Sequence, residues 1–268
     1  MAHEGSGTLF TYPDFDPVAL DLGFLQIRWY GLMYVAGFLC GWAGFRARCR
    51  KPNAVMTPVQ VDDLVFYIMV GVIVGGRLGY MLLYDFGNFV GDPLSLFFIW
   101  DGGMSFHGGL LGVIFAMWLF ARRLGQHFLA VADGVVPWVA PGLGFGRIGN
   151  FINGELWGKP TSPDAPWAVI VDGQARHASQ LYEATLEGLV MFLILWWYSK
   201  QPRPRGAVSG LFLLLYGTFR FAVEFIRLPD SGEYLALGWV TYGQVSSAPM
   251  ILFGIFLIAT AVRRRSDR

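Results

Sequence analysis

Charge is scarce in this chain. Only 15% of its 268 residues are Asp, Glu, Lys or Arg, against about a quarter in a typical soluble domain. That shortfall argues against an ordinary water-facing surface and points to lipid as the surrounding solvent. Neither sign is in excess either: the formal net charge is +1, which leaves no case for nucleic acid as a partner. Cysteine is nearly absent. Cys40 and Cys49 would stand about 13 Å apart on one helix at 1.5 Å per residue, beyond disulfide reach, so no disulfide framework or zinc cluster can be assembled from them. The opening residues, MAHEGSGTLFTYPDFDP, lack the basic stretch and following apolar stretch of a cleaved signal peptide. The membrane spans themselves are therefore expected to direct insertion.

What is present is apolar and aromatic: 54% hydrophobic and 16% Phe, Trp and Tyr, with a mean hydropathy of +0.47. A helix needs roughly 20 apolar residues to cross a bilayer, and seven stretches qualify, near 24–45, 63–84, 102–121, 130–151, 180–199, 208–227 and 244–262. The expected fold is an all-α membrane protein in a single polytopic domain. Its basic connectors, RARCRK (46–51), ARR (121–123), KQPRPR (200–205) and the tail RRRSDR (263–268), hold 13 of the 20 Lys and Arg. With alternating spans they all fall on one side, the cytoplasmic one by the positive-inside rule. The N-terminus is then outside and the C-terminus inside. Segments 152–179 and 228–243 are the longer outer connectors and are expected to form a small cap.

Polar groups inside such a chain need a reason, because a charge within a span costs several kcal/mol unless paired or hydrated. GRIGNFINGELWG, residues 146–158, places Arg147, Asn150 and Asn153 at three-residue spacing, near one face of a helix. Asparagine and exposed backbone N–H groups donate to anionic oxygens, and a planar guanidinium grips a phosphate with two bonds. The competing account is a helix end whose arginine reaches the interface and whose glycines allow tight packing. In WDGGMSFHGGLLG, residues 100–112, His107 is either a proton acceptor near neutral pH or a structural bond between helices, and Asp101 reads as an interfacial cap.

Two further segments carry charge. YGTFRFAVEFIRLPD, residues 216–230, sets Arg220, Glu224 and Arg227 on one face. This is either a self-neutralising ion pair or a site with positive charge left for a ligand. RHASQLYEATLEG, residues 176–188, brings Glu183 and Glu187 to the start of the fifth span, where they can balance arginines of the fourth and sixth. Tyr30 reads as an interfacial aromatic, and Arg77 is expected to pair with an acidic neighbour. Apart from Asp62 and Asp63, these groups gather in the outer half, which implies one cavity and an amphipathic ligand with an anionic head.

At these residues the sequence resembles the prolipoprotein diacylglyceryl transferase family. Residues 146–158 match G-R-x-G-N-F-x-N-x-E-x-x-G at every fixed position. RWYGLMY (28–34), DGGMSFHGG (101–109), H-x-S-Q-L-Y-E (177–183) and F-R-x-x-x-E-F-x-R (219–227) follow the family order. Arg28 stands where some members have His, and Ala178 replaces a frequent proline.

The resemblance implies a bacterial inner-membrane transferase with its active site toward the periplasm. It moves diacylglycerol from phosphatidylglycerol to the lipobox cysteine thiol of a preprolipoprotein, and glycerol 1-phosphate leaves. On that reading Arg147 binds the donor phosphate, while Asn150 and Asn153 shape the headgroup pocket. Tyr30 and Glu155 line the head group, and Gly158 permits close approach. Arg220 assists the leaving phosphate or steadies the thiolate, and Glu224 orients it. His107, or Glu224 with Arg220, takes the thiol proton. No cofactor or metal is expected, because no phosphoryl group is transferred. The rival readings are an anionic-lipid or organic-phosphate transporter and an intramembrane protease using Ser105 and His107.

Overall fold

The computed structural model describes residues 10–52, 54–98, 100, 102–229 and 232–266, without the side chains of 264–266. Asp101, read above as a cap, lies outside the described residues, as do 230 and 231 of the second outer connector. The chain forms two compact units, Met1–Gly41 with Val136–Arg268, and Trp42–Val135. The boundaries fall within α1 (Trp29–Arg48) and α5 (Phe128–Ile152).

In the unit spanning 42–135, α2 (Pro58–Leu83) starts at a capping box. Thr57 accepts from the Gln60 backbone N–H, and the Gln60 side chain accepts from the Thr57 N–H, with Pro58 in the first turn. Two orphan N–H groups of the helix end are satisfied in this way. A short α3 (Phe86–Gly91) and a 3-10 helix (Pro93–Phe97) follow, then α4 (Phe106–Arg123). α4 begins four residues later than expected because Gly102 and Gly103 both take positive φ, which a right-handed helix excludes. α2 and α4 run antiparallel with backbone against backbone. A Cβ on Gly112 would lie 2.0 Å from the Gly71 carbonyl oxygen, and one on Gly108 would lie 2.7 Å from Gly79 Cα.

In the other unit, α1 up to Gly41 lies antiparallel to α5 from Val136 onward, with Gly37 close to Gly142 and Gly41 close to the Trp138 carbonyl. The next helix runs from Ser179 to Tyr198 as α6 (Ser179–Glu183), a π-helical stretch (Ala184–Val190) and α7 (Met191–Tyr198). α8 (Ala207–Val223) packs antiparallel on α9 (Tyr242–Ser266), with Gly210 and Gly254 each against the other's carbonyl oxygen. Ala140, Met191, Leu195 and Val208 form a buried cluster joining α5, α7 and α8.

The fold departs from all-α in two small sheets. β2 (Val18–Asp21) and β3 (Gln26–Arg28) form a hairpin. β4 (Ala168–Val171) and β5 (Gln174–His177) form another, and β1 (Phe10–Thr11) joins it parallel to β4. The β4–β5 turn is Asp172–Gly173, both at positive φ, the pairing a two-residue hairpin favours. Among the described residues four helices are long and apolar enough to cross a membrane: Pro58–Leu83, Phe128–Ile152, Ser179–Tyr198 and Tyr242–Arg263. α8 is apolar but only 17 residues long. Phe66, Leu83, Leu252 and Phe256 are each more than half exposed, as expected of helices whose outer faces meet hydrocarbon rather than water.

Candidate active site

The end of α5 explains the glycine-rich stretch. Gly154 has φ +67° and its N–H donates to the Phe151 carbonyl at 3.1 Å, while the Glu155 N–H donates to the Asn150 carbonyl at 2.9 Å. This is the Schellman closure of a helix, which needs a left-handed residue just past its end. The Tyr12 hydroxyl donates to the Phe151 and Ile152 carbonyls at 3.0 and 2.8 Å, satisfying a further orphan acceptor at Ile152. Burial raises the pKa of Tyr12, with the Asp14 charge adding to it, so the phenol stays a donor at neutral pH. The reversal folds Glu155 back over the helix it leaves. Its carboxylate accepts from Asn150 Nδ2 at 3.3 Å and from Asn153 Nδ2 at 3.1 Å. Tyr30 joins them: its ring packs on Gly149, and its hydroxyl meets Tyr34 at 2.9 Å with the Asn150 amide nearby.

One turn before Asn150, Arg147 points into a second cluster. Its Nη2 lies 2.7 Å from Glu183 Oε2. Arg220 Nη1 reaches the same oxygen at 3.3 Å, and Arg227 Nη1 reaches Oε1 at 3.2 Å. One carboxylate with no solvent exposure therefore holds three guanidiniums, one from α5 and two from α8 and the turn after it. Such a hub is tolerated in a low-dielectric interior only because every charge has a partner. Glu224 extends it, with Oε1 2.5 Å from Arg220 Nη2 and 3.9 Å from Arg227 Nε. Glu187 lies 4.0 Å from Arg147. The sequence expectation that Glu183 and Glu187 balance the arginines therefore holds in the geometry. Exposure falls from Arg147, at 22% of its side chain, through Arg220 at 12% to Arg227 at 5%. Arg147 is thus the most open of the three cations.

Several contacts were not foreseen. Thr241 Oγ1 donates to Glu224 Oε2 at 2.5 Å while also accepting from the Gln244 N–H at the start of α9. The T-x-x-Q spacing before an apolar run signals such a cap, but nothing local signals the carboxylate. Gly243 makes room for it: a Cβ there would lie 2.4 Å from Glu224 Cδ. Gln180 Nε2 donates to the Glu155 backbone carbonyl, tying α6 to the α5 exit.

Two expectations change. The space beside Gly158 is filled by His177 and the Ile226 carbonyl, so the approach it permits is of chain to chain. Arg77 has no acidic partner among the described residues. It donates to the carbonyls of Ser95 at 2.6 Å, Leu96 at 3.2 Å, Gly103 at 3.3 Å and Gly102, because the loop folds its backbone oxygens around the guanidinium. His107 stands exposed near the start of α4, its ring edge-on to Phe106, in the unit formed by 42–135.

Cavities open among the described residues of the arginine-bearing unit. One of about 720 Å³ is lined by Leu156, Trp157, Asp172, Arg176, Arg227 and Pro229, among others. Another, of about 350 Å³, is lined by Tyr182, Thr185, Leu186, Ala222, Val223 and Ile226. Among the described residues no group of three or more His, Cys, Asp and Glu is arranged to hold a metal ion.

Residues 17–260 match the family model described as prolipoprotein diacylglyceryl transferase. The chain belongs to this family. It is 58% identical over 263 residues to the phosphatidylglycerol–prolipoprotein diacylglyceryl transferase of Methylococcus capsulatus, covering 96% of this chain and all of that protein. The enzyme of the same name from Oleidesulfovibrio alaskensis is also 58% identical, covering 97% and 98%. That from Coxiella burnetii is 53% identical over 258 residues, covering 95% and 98%. With its long apolar helices, this transferase is embedded in a membrane.

Proposed function

We propose that this transferase moves the diacylglyceryl group of phosphatidylglycerol onto the lipobox cysteine of a prolipoprotein. The sulfur attacks the glyceryl carbon that carries the phosphate ester. A C–S thioether bond forms, the C–O bond breaks, and glycerol 1-phosphate leaves with the bonding electrons. Two physical demands follow. The thiol, with a reference pKa near 8.5, must lose its proton to become the nucleophile, and the charge growing on the phosphate must be held where water is scarce.

The observation that carries this reading is the convergence of Arg147, Arg220 and Arg227 on Glu183 in a chain of this family. Arg147, the most open of the three, takes the donor phosphate with a two-pronged grip. Asn150 and Asn153, which both bond to Glu155, face the glycerol head together with Glu155 and Tyr30 as a donor–acceptor array. Arg220, fixed by Glu183 and Glu224, meets the charge that develops on the leaving phosphate. The cavity bounded by Leu186, Val223 and Ile226 suits an acyl chain entering from the bilayer. For the thiol proton two acceptors are proposed, His107 and Glu224 with Arg220. Gly158 acts by closing the cap against residue 226 rather than by touching lipid.

The same reading places seven spans across the bacterial inner membrane, basic connectors inside and the site toward the periplasm. Transport of an anionic lipid or an organic phosphate is not favoured, since the relatives named above are all transferases. Purified protein, phosphatidylglycerol and a peptide bearing a lipobox cysteine test the reaction. Mass spectrometry should find the peptide heavier by one diacylglyceryl group on sulfur, with equimolar glycerol phosphate released. Acylation of the peptide, or lipid movement without thioether formation, would refute it.

A further inference from the structure

Glu187 has no part in that scheme, yet it is fully buried and neither carboxylate oxygen has a hydrogen-bond partner. Its ion-pair neighbour is Arg147 Nη2 at 4.0 Å, beyond hydrogen-bond length. The backbone holds it there. The helix widens into its π stretch at Ala184–Val190, and a Cβ on Gly188 would lie 2.6 Å from Gly144 Cα on α5. Wide helical turns of this kind recur at functional sites. A leucine at 187 would avoid the desolvation of a buried carboxylate altogether, so the acid needs an explanation.

Charge balance supplies one. The charges facing Glu187 are Arg147 from α5, Glu183 on its own helix, and Arg220 and Arg227 from α8 and the turn after it. The Tyr216 phenol of α8 faces it as well. With Glu224 the network has three guanidiniums and three carboxylates, formally neutral when all are ionised. A phosphodiester arrives with a negative charge. In a site poor in water that charge repels every carboxylate near it. Glu183 and Glu224 each have a guanidinium nitrogen or a hydroxyl within 2.5–3.3 Å, although Glu224 Oε1 meets its guanidinium without hydrogen-bond geometry. Glu187 does not.

We propose that Glu187 makes donor binding proton-coupled: as the phosphate seats on Arg147, the Glu187 carboxylate takes up one proton from solvent. Carboxylate plus proton gives the neutral acid, no other bond changes, and the network stays neutral with the lipid in place. This rests on the assignment of the donor phosphate to Arg147.

The test is calorimetric titration of the full chain in detergent with short-chain phosphatidylglycerol, run in buffers of different ionisation heat and across pH. The wild type should take up a proton on binding, and affinity should rise as pH falls, by up to about tenfold per unit. Glu187→Gln should bind phosphatidylglycerol without proton uptake and with a flat pH dependence. Should that variant fold poorly, infrared difference spectra of the wild type serve instead: adding lipid should produce a protonated-carboxyl band. Lipid binding with no proton exchange in the wild type, no such band, or unchanged uptake in Glu187→Gln would overturn the inference. Unchanged phosphatidylglycerol affinity in Arg147→Lys would instead remove the underlying assignment, so the two failures are distinguishable.

Discussion

The α2–α4 pair and the α8–α9 pair are built alike and end differently. Both run antiparallel with glycine set against backbone: Gly71, Gly75 and Gly79 against Gly108 and Gly112 in one, Gly210 and Gly217 against Gly254 and Ser247 in the other. Each seam leads to a titratable side chain. Past Gly108 stands His107, exposed at the start of α4. Past Gly217 stands Glu224, buried between Arg220 and Thr241 with Gly243 across from it. Close helix packing serves as a ruler in both, but one leads to a group left exposed. The other fixes a group whose charge must stay compensated.

Substitutions can break that contrast, and the largest effect is expected at the hub. Glu183→Ala removes the shared partner of three buried or half-buried guanidiniums and should destabilise the chain by about 3–5 kcal/mol, with activity lost as well. Thermal unfolding in detergent measures this, and a near-native midpoint would show that the network is not held by Glu183. His107→Gln should keep the fold and lower turnover by about 100-fold or more, flattening the pH profile near neutrality. An unaltered profile would make His107 structural and dissolve the contrast.

The seams themselves come next. Gly112→Ala should cost about 1–3 kcal/mol of stability by overpacking α2 against α4, with catalysis by the folded fraction little changed. Gly243→Ala should do the reverse. Its new methyl group displaces the Glu224 carboxylate, so turnover should fall by about tenfold or more with a smaller loss of stability. Equal stability loss and equal turnover loss in the two variants would erase the distinction between the seams.

The smallest effect lies in the strands. Burial holds the His177 imidazole below its ordinary pKa, so the unfolded chain binds more protons there than the folded one. Stability should therefore decline as pH falls through the ordinary histidine value toward the depressed one, and His177→Gln should flatten that slope.

Much of the helical plan was legible because lipid requires long apolar runs, and the spacing of Arg220 and Glu224 on one helix turn was enough to foresee their ion pair. The sheets were missed although Asp172–Gly173 after the apolar AVIV carries the hairpin signal. In a chain this apolar, a four-residue run does not stand out. Thr241 and Gly243 escaped for another reason. Their importance comes from where α9 docks on α8, which residue spacing along either helix does not encode. Arg77 shows the limit of charge-pairing logic: a guanidinium can be satisfied by backbone carbonyls, which every residue carries. Gly158 shows the limit of motif logic, since the space beside it is occupied by the protein's own chain.

The most direct measurement is the position of phosphate in a structure of the chain with phosphatidylglycerol bound. The account predicts phosphate oxygens within about 3 Å of the Arg147 guanidinium, with the glycerol head toward Asn150 and Glu155. A head group seated away from Arg147, with its contact to Glu183 undisturbed and no phosphate oxygen on any of the three arginines, would contradict it.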